Sequence, residues 1–379
     1  MPELATDRDS PFPDYSLVPD LHAYLVDRKL FESHTIEPLS GGSANFTFRL
    51  DLKSPFEGRP SLVLKHSKDY VATAKSIPFG LERQSFEVEA LKRVRAWLPK
   101  DSMVSVPAVH LYDEDAHIII MDDCGPAAAT LKTLMLAGKI TLPLAREIGS
   151  ALGIFLSTLH DQSTQYPSTV QFFDANTQGK NISAWAVYGR LISTISGKDN
   201  LTRLSGLEVS GGKLDILSKV ADHMTGAITS AVTATSPLVM GDFWPGNIMV
   251  TFDVDNVLQR IDVLDWELAK PGLRGVEIGQ FCGEMHQTRL CYPQYAESAS
   301  RTVAALLSTY AQGHKSDTAV ARDVLVHCGA HMVVWTPRVP WGDNATTKKV
   351  VEEGIKFLVD GFTGTAGALK ESWVAEFEV

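Results

Sequence analysis

The stretch Leu238-Val-Met-Gly-Asp-Phe-Trp-Pro-Gly-Asn-Ile-Met-Val250 reads as an apolar strand, a loop holding Asp242 and Asn247, and a second strand. Phosphoryl transfer needs a carboxylate to orient the attacking hydroxyl and accept its proton, and a nearby side-chain oxygen to hold the metal that bridges the phosphates. Asp242 and Asn247, in the order Asp-x-x-x-x-Asn, are candidates for those two roles. Farther on, Arg260-Ile-Asp-Val-Leu-Asp-Trp-Glu-Leu-Ala269 sets Asp265 at the end of a strand, on the face of Ile261 and Val263, where a hard carboxylate oxygen suits Mg²⁺. A lone aspartate is more often a helix cap or a turn residue. The ordered set is what points to chemistry.

Toward the N-terminus, Leu39-Ser-Gly-Gly-Ser-Ala-Asn-Phe-Thr-Phe-Arg-Leu-Asp-Leu52 starts with a glycine pair and then alternates, which predicts a turn feeding a half-buried strand. In Leu62-Val-Leu-Lys-His66 the two leucines face one way, and Val63 and Lys65 the other, as on a cleft wall. Residues 82–98 read as a helix with Glu87, Leu91, Val94 and Leu98 on a single stripe, so Glu87 is a carboxylate on an apolar face. A further segment runs through His117-Ile-Ile-Ile-Met121 and stops at Asp-Asp-Cys-Gly-Pro126, a boundary between lobes. Beyond it, 144–160 and about 217–232 read as helices, 161–181 as a polar loop, 248–252 and 261–264 as short strands, and the final hundred residues as helical. A strand-rich first third before a helix-rich remainder predicts an α+β chain of two lobes, with a flexible tail over 1–20, an N-lobe over 21–123 and a C-lobe over 124–379.

Composition narrows the function. A length of 379 residues allows two cores, and a net charge of −10 disfavours a nucleic-acid partner, which would demand a basic face. Cys124, Cys282, Cys291 and Cys328 form no CxxC pair, so neither a disulfide framework nor a zinc site is indicated. The first twenty residues have no signal-peptide core, and apolar runs such as 116–121 fall far short of a bilayer span. The expectation is a cytoplasmic protein with no membrane partner, a monomer or weak homodimer.

GDFWPGN followed by LDWE resembles the HGDxxxxN and IDWE signatures of the aminoglycoside phosphotransferase, choline kinase and methylthioribose kinase superfamily, small-molecule relatives of protein kinases. The resemblance runs from Leu39 to about Gly342, and the LSGG loop, LKH strand, LDWEL and the late HMVVWT segment ending in WG are similar to the fungal 4-hydroxytryptamine kinases. It implies a protein-kinase-like fold with an antiparallel-sheet N-lobe and a mainly helical C-lobe, with ATP and Mg²⁺ as cofactors. Carried over by position, Gly41, Gly42, Ser43 and Asn45 lie in the loop that covers the phosphates, and Lys65 contacts them while pairing with Glu87 rather than Glu89. Met121, Asp122, Asp123 and Cys124 form the hinge whose backbone binds adenine, Asp242 is catalytic, and Asn247 and Asp265 hold the metal. Two positions depart from the pattern: Met240 stands in place of the histidine of HGD, and Glu277 stands where relatives usually carry an aspartate that braces the catalytic loop.

For the acceptor, Trp335 and Trp341 are candidates to wall a pocket for an aromatic or quaternary amine, or else core residues, and Trp266, Glu267 and Glu284 are further candidates near the loop. The acidic balance favours an amine-bearing hydroxylated metabolite such as a hydroxytryptamine-like compound, with methylthioribose, choline, an aminoglycoside or a sugar amine left open. Two rivals stand beside the kinase. One is a nucleotide-binding pseudokinase acting as an interaction module, which the Met240 and Glu277 departures hint at; the other is a metal-dependent hydrolase using Asp242, Asp265 and His286, for which no ligand spacing speaks.

Overall fold

The computed structural model describes residues 13–375 except 231, 234, 235, 315, 316, 365, 366, 368 and 370. The chain divides into two compact units, one of residues 1–88 with 107–125 and the other of 89–106 with 126–379. Of the tail expected over 1–20, residues 1–12 lie outside the described residues. From there on, Asp14 pairs with Lys68 at 2.7 Å and helix α1 (Val18–Asp27) is already under way by residue 20.

The first unit is built on an antiparallel sheet of strands β1 (Ser33–Pro38), β2 (Phe46–Phe56), β3 (Arg59–His66), β7 (Val109–Asp113) and β8 (Ile118–Asp122), in the order β1-β2-β3-β8-β7. A small hairpin, β4 (Tyr70–Val71) with β5 (Ala74–Pro78), lies apart from it in the chain. Register explains the two faces. Phe48, Leu64 and Ile120 are aligned across three strands and pack under Leu21, Tyr24 and Leu25 of α1, whereas the neighbouring row of Thr47, Lys65 and Ile119 points the other way, because side chains alternate along a strand. Helix α2 (Arg83–Trp97) begins in this unit and continues into the second, and Leu91 and Val94 are buried as the stripe predicts.

In the second unit a four-stranded sheet takes the order β6-β12-β11-β9, from β6 (Val104–Ser105), β9 (Ala129–Thr130), β11 (Ile248–Phe252) and β12 (Leu258–Val263). Strands β10 (Leu238–Val239) and β13 (Lys270–Pro271) form a separate pair. Around them lie α3 (Leu131–Leu136), α4 (Leu142–Thr164), α5 (Pro167–Asp174), α6 (Thr177–Ala184), α7 (Arg190–Ile195), α8 (Gly211–Thr229), α9 (Arg274–Cys291), α10 (Ala296–Ala311), α11 (Thr318–Trp335) and α12 (Asn344–Thr363). The polar loop expected over 161–181 is instead the end of α4, then α5 and the start of α6. Pro167 opens α5, Val170 and Phe173 bury its inner face, and the Asn176 side chain caps α6 by accepting from the Gly179 N–H at 2.9 Å.

Among the described residues only α4 is long and apolar enough to cross a membrane by length and composition. Its apolar side is occupied by the protein itself, since Ile148, Leu152 and Leu156 are fully buried. Gly153 marks a close backbone approach to α10, where an added Cβ would meet the Leu306 carbonyl oxygen at 2.6 Å and the Thr309 Cβ at 2.9 Å. Gly153→Ala is therefore expected to lower the unfolding free energy by about 1–3 kcal/mol in urea titration, the usual effect of overpacking.

Asp323 on α11 supplies a pH test. Burial, with the nearby Asp317 charge, pushes its carboxyl up to about 7, against about 4 in an unfolded chain. Between those values the folded state holds the proton and the unfolded state does not, so stability is full at low pH and falls as pH rises from about 4 to about 7. Asp323→Asn is expected to flatten that decline and to raise Tm at about pH 8, read by thermal unfolding across the range.

Candidate active site

The loop after β10 is held from behind by one carboxylate. Glu277, in the first turn of α9, is 2% exposed, and its Oε1 accepts the backbone N–H groups of Met240 at 2.6 Å and Gly241 at 3.2 Å. Its Oε2 lies 2.9 Å from His160 Nε2, and His160 Nδ1 lies 2.9 Å from the Tyr310 hydroxyl. Burial lowers the His160 pKa despite the adjoining Glu277, so the ring is neutral, with Nε2 donating to Glu277 and Nδ1 accepting from Tyr310. Met240 itself is fully buried. Gly241 adopts φ +86°, and an added Cβ would meet the Leu268 carbonyl oxygen at 2.5 Å, so this position admits only glycine without strain.

Asp242 follows directly. Its Oδ1 accepts from Gln280 Nε2 at 2.6 Å and its Oδ2 from Asn247 Nδ2 at 2.9 Å. Burial first, and then the Asp265 charge, push its pKa up to about 6, while the hydrogen bonds from Gln280 and Asn247 pull the other way. Because the Asn247 nitrogen also donates to the Asp242 carbonyl at 3.0 Å, the amide presents its oxygen on the opposite side. The Asn247 carbonyl accepts from the Leu264 N–H at 2.9 Å, tying the loop to the residue before Asp265.

Asp265 has φ +67°, a left-handed conformation that aspartate tolerates better than most side chains. Glu267 is buried, and its carboxylate oxygen lies within 4.8 Å of that of Asp265. Asn176 Nδ2 fixes this turn by donating to the carbonyls of Glu267 and Ala269 at 3.1 and 2.9 Å. The donors that meet here, the carboxylates of Asp265 and Glu267, are hard oxygens, which fits Mg²⁺ and not a thiophilic metal. Nearby, burial draws the Lys270 pKa down to about 8, and its Nζ donates to Ser183 Oγ at 2.7 Å.

Glu284, one turn beyond Gln280 on α9, anchors a cation-binding cluster. Lys132 Nζ lies 3.0 Å from Glu284 Oε2, 4.1 Å from the centroid of Trp341 and 5.0 Å from that of Trp244. Glu284 Oε1 lies 3.0 Å from His331 Nε2. Burial works against ionisation of Glu284, but His331 and Lys132 outweigh it and hold the carboxyl below its ordinary value. The buried His331 Nδ1 and Trp341 Nε1 have no hydrogen-bond partner among the described residues. Of the aromatic candidates, Trp341 joins this cluster and Trp335 sits half-buried beside the helical core. Trp266 does not reach it: the ring is fully buried edge-on to Phe155, and its N–H donates to the Val263 carbonyl at 3.0 Å. His286 stands on another face of α9, so it does not join Asp242 and Asp265 as the hydrolase reading requires.

In the first unit, Lys65 Nζ meets Glu87 Oε1 at 2.7 Å with both side chains buried, whereas Glu89, already in the second, pairs with Arg93 at 2.6 Å. The loop of Gly41, Gly42, Ser43 and Asn45 precedes β2. Thr73 N–H donates to the Ser43 carbonyl at 3.0 Å, and Asn45 Oδ1 accepts from Ser67 Oγ at 2.6 Å and Arg83 Nη2 at 3.0 Å. Met121 and Asp122 end β8, with Asp123 and Cys124 just after it. The carboxylates there tie strands together, Asp122 to Arg59 at 2.6 Å and Asp123 to Arg49 at 2.6 Å. Gln280, Lys132, Trp244, His160 and Arg83 escaped the sequence reading. Only Trp244 carried a signal, as the tryptophan inside the Asp-x-x-x-x-Asn loop.

The chain is 28% identical over 330 residues to a 4-hydroxytryptamine kinase of Psilocybe cyanescens, covering 85% of this chain and 86% of that one. The corresponding protein of Psilocybe cubensis is also 28% identical, over 333 residues, with 86% and 87% covered. A methylthioribose kinase of Bacillus cereus is 27% identical over 145 residues, 38% of this chain and 34% of that one. Among solved structures, an amicoumacin kinase in complex with AMP-PNP, Ca²⁺ and Ami aligns at a TM-score of 0.48 and 12% identity, covering 92% of this chain and 98% of that one. With the phosphotransferase enzyme family matched over residues 35–315, most of its length, the chain belongs to that family.

Proposed function

We propose that the protein is an ATP-dependent kinase that transfers the γ-phosphate to a hydroxyl of a small, amine-bearing metabolite. The observation that carries this reading is Asp242, a half-buried carboxylate gripped by Gln280 and Asn247 on a loop pinned by Glu277. A group so held spends no energy on reorganisation when an acceptor hydroxyl arrives. The acceptor proton passes to Asp242 as the new O–P bond forms and the bond from the γ-phosphorus to the bridging oxygen breaks, leaving a phosphate monoester and ADP.

Asn247 and Asp265, with Glu267 beside them, would hold Mg²⁺. The metal, when bound, offsets the negative charge of the phosphates. Lys65, oriented by Glu87, would add a fixed cation on the nucleotide, the Gly41–Ser43 backbone would cover the phosphates, and the Met121–Cys124 backbone would take adenine. The pseudokinase alternative rested on Met240 and Glu277. The hydrogen bonds that Glu277 makes to the loop weigh against it, because the longer carboxylate still braces the same backbone.

The finer reading concerns the acceptor. A carboxylate and two indoles already accommodate an ammonium, that of Lys132. This suits a hydroxylated aromatic amine, the class named by the Psilocybe relatives. The substrate amine would then compete with Lys132 for Glu284.

Two measurements test this. Asp242→Asn is expected to lower acceptor-dependent ADP release by about 10²–10⁴-fold with ATP affinity nearly unchanged in calorimetry; wild-type turnover in the variant would remove Asp242 from the chemistry. Lys132→Met is expected to lower KM severalfold for amine-bearing acceptors and to leave sugar acceptors unchanged. An unchanged or raised KM for amines would place their recognition elsewhere.

A further inference from the structure

Helices α6 and α7 run on from one another through a single wide turn. Residues Trp185–Gly189 between them form a π-helix, and Arg190 opens α7. On an unbroken α-helix Arg190 would stand about 140° round from Trp185, but the i to i+5 bonding of a π-turn brings residues five apart side by side. The Arg190 guanidinium accordingly lies 3.8 Å from the centroid of the Trp185 ring. Gly189 leaves room for this stack, since an added Cβ would come within 3.1 Å of the indole Cδ1. Trp335 of α11 brings a second ring, its centroid 5.8 Å from the guanidinium. Trp335 also neighbours the His331 ring at 6.4 Å, so the two indoles adjoin the Glu284 cluster.

The site is open to solvent: Arg190 is half-buried and Trp185 is 51% exposed. Two charges act on Arg190, those of Arg338 and Asp199. Asp199 is already committed, accepting from Arg338 Nη2 and from the Ser193 and Thr194 hydroxyls at 3.1 and 3.2 Å. Arg338 is committed as well, its Nη1 donating to Thr194 Oγ1 at 2.9 Å and to the Val334 carbonyl at 2.5 Å. The Arg190 guanidinium, by contrast, makes no hydrogen bond or ion pair among the described residues. Burial first, and then the Arg338 charge, draw its pKa below the ordinary value, with Asp199 opposing them. One positive charge is therefore left over here. Wide turns of this kind are rare and recur at functional sites.

We propose that Arg190, with the Trp185 and Trp335 rings, is a binding site for the carboxylate of a small aromatic acid. The planar fork of a guanidinium meets a carboxylate through two parallel hydrogen bonds. One uncommitted guanidinium balances one negative charge, whereas a phosphate dianion would be only half neutralised. Stacking on Trp185 fixes the plane of the fork, and the open indole surface suits an aromatic body. Binding at this site does not depend on the function proposed above.

The test titrates the full chain with 4-fluorobenzoate and with its uncharged isostere 4-fluorobenzamide, followed by ¹⁹F NMR. Saturable binding of the benzoate is expected with a millimolar Kd, as a ligand of about ten heavy atoms allows. The amide should bind about tenfold more weakly, because it cannot make the charge-assisted pair. Arg190→Gln should abolish that preference, and Trp185→Ala, at a half-exposed ring, should weaken the benzoate severalfold. Equal binding of the two compounds, no saturable binding of the benzoate, or a preference that survives Arg190→Gln would overturn the proposal. Should that variant fail to fold, unchanged benzoate binding by Trp185→Ala overturns it equally.

Discussion

Everything at the candidate site rests on one buried carboxylate that carries out no chemistry. Glu277 divides its two oxygens between the chain and a neutral histidine, taking two backbone N–H groups on one and His160 on the other. Leaving such donors unmatched in a dry interior is costly. The backbone at Met240 and Gly241 consequently has one favourable place to be, and the side chain of the next residue, Asp242, is aimed by that constraint. The left-handed turn at Gly241 and the close approach of Leu268 keep the alternative paths closed.

The electrostatics follow from the same enclosure. Asp242 and Asp265 are both acidic and close enough for one to raise the pKa of the other, an arrangement that a folded chain would avoid unless amides or a cation compensated. Gln280 and Asn247 supply part of the compensation through N–H donors. The carboxylates of Asp265 and Glu267 would find the remainder in a bound hard cation, which such oxygens accommodate.

Much of this was legible in the sequence, for definite reasons. Strand alternation separated Lys65 from Leu64, and helical phase chose Glu87 over Glu89, because period two and period 3.6 are set by backbone geometry and survive tertiary context. The Asp-x-x-x-x-Asn loop and the aspartate after the following hairpin could be read because their chemistry is local. The helices within 161–181 were not legible, because Gln, Ser, Thr and Asn fill their outer faces and only Val170 and Phe173 mark the inner one of α5. Nor were Lys132, Gln280 and His160. Each acts on a partner more than thirty residues away in sequence, and a glutamine or lysine on a helix carries no local sign of what it will touch.

Helix α9 sets the spacing for all of this. Glu277 steadies the loop, Gln280 holds Asp242, and Glu284 meets the Lys132 ammonium, at intervals of three and four residues along one rigid rod. A rod of 1.5 Å per residue keeps those stations about 4.5 and 6 Å apart along its axis. On the function proposed above, substitution at the last station would alter which guest is welcomed while the first two went on serving the reaction unchanged. A lineage of such proteins would then have an easy route to new acceptors: drift at one end of a single helix, with the chemistry at the other end left undisturbed.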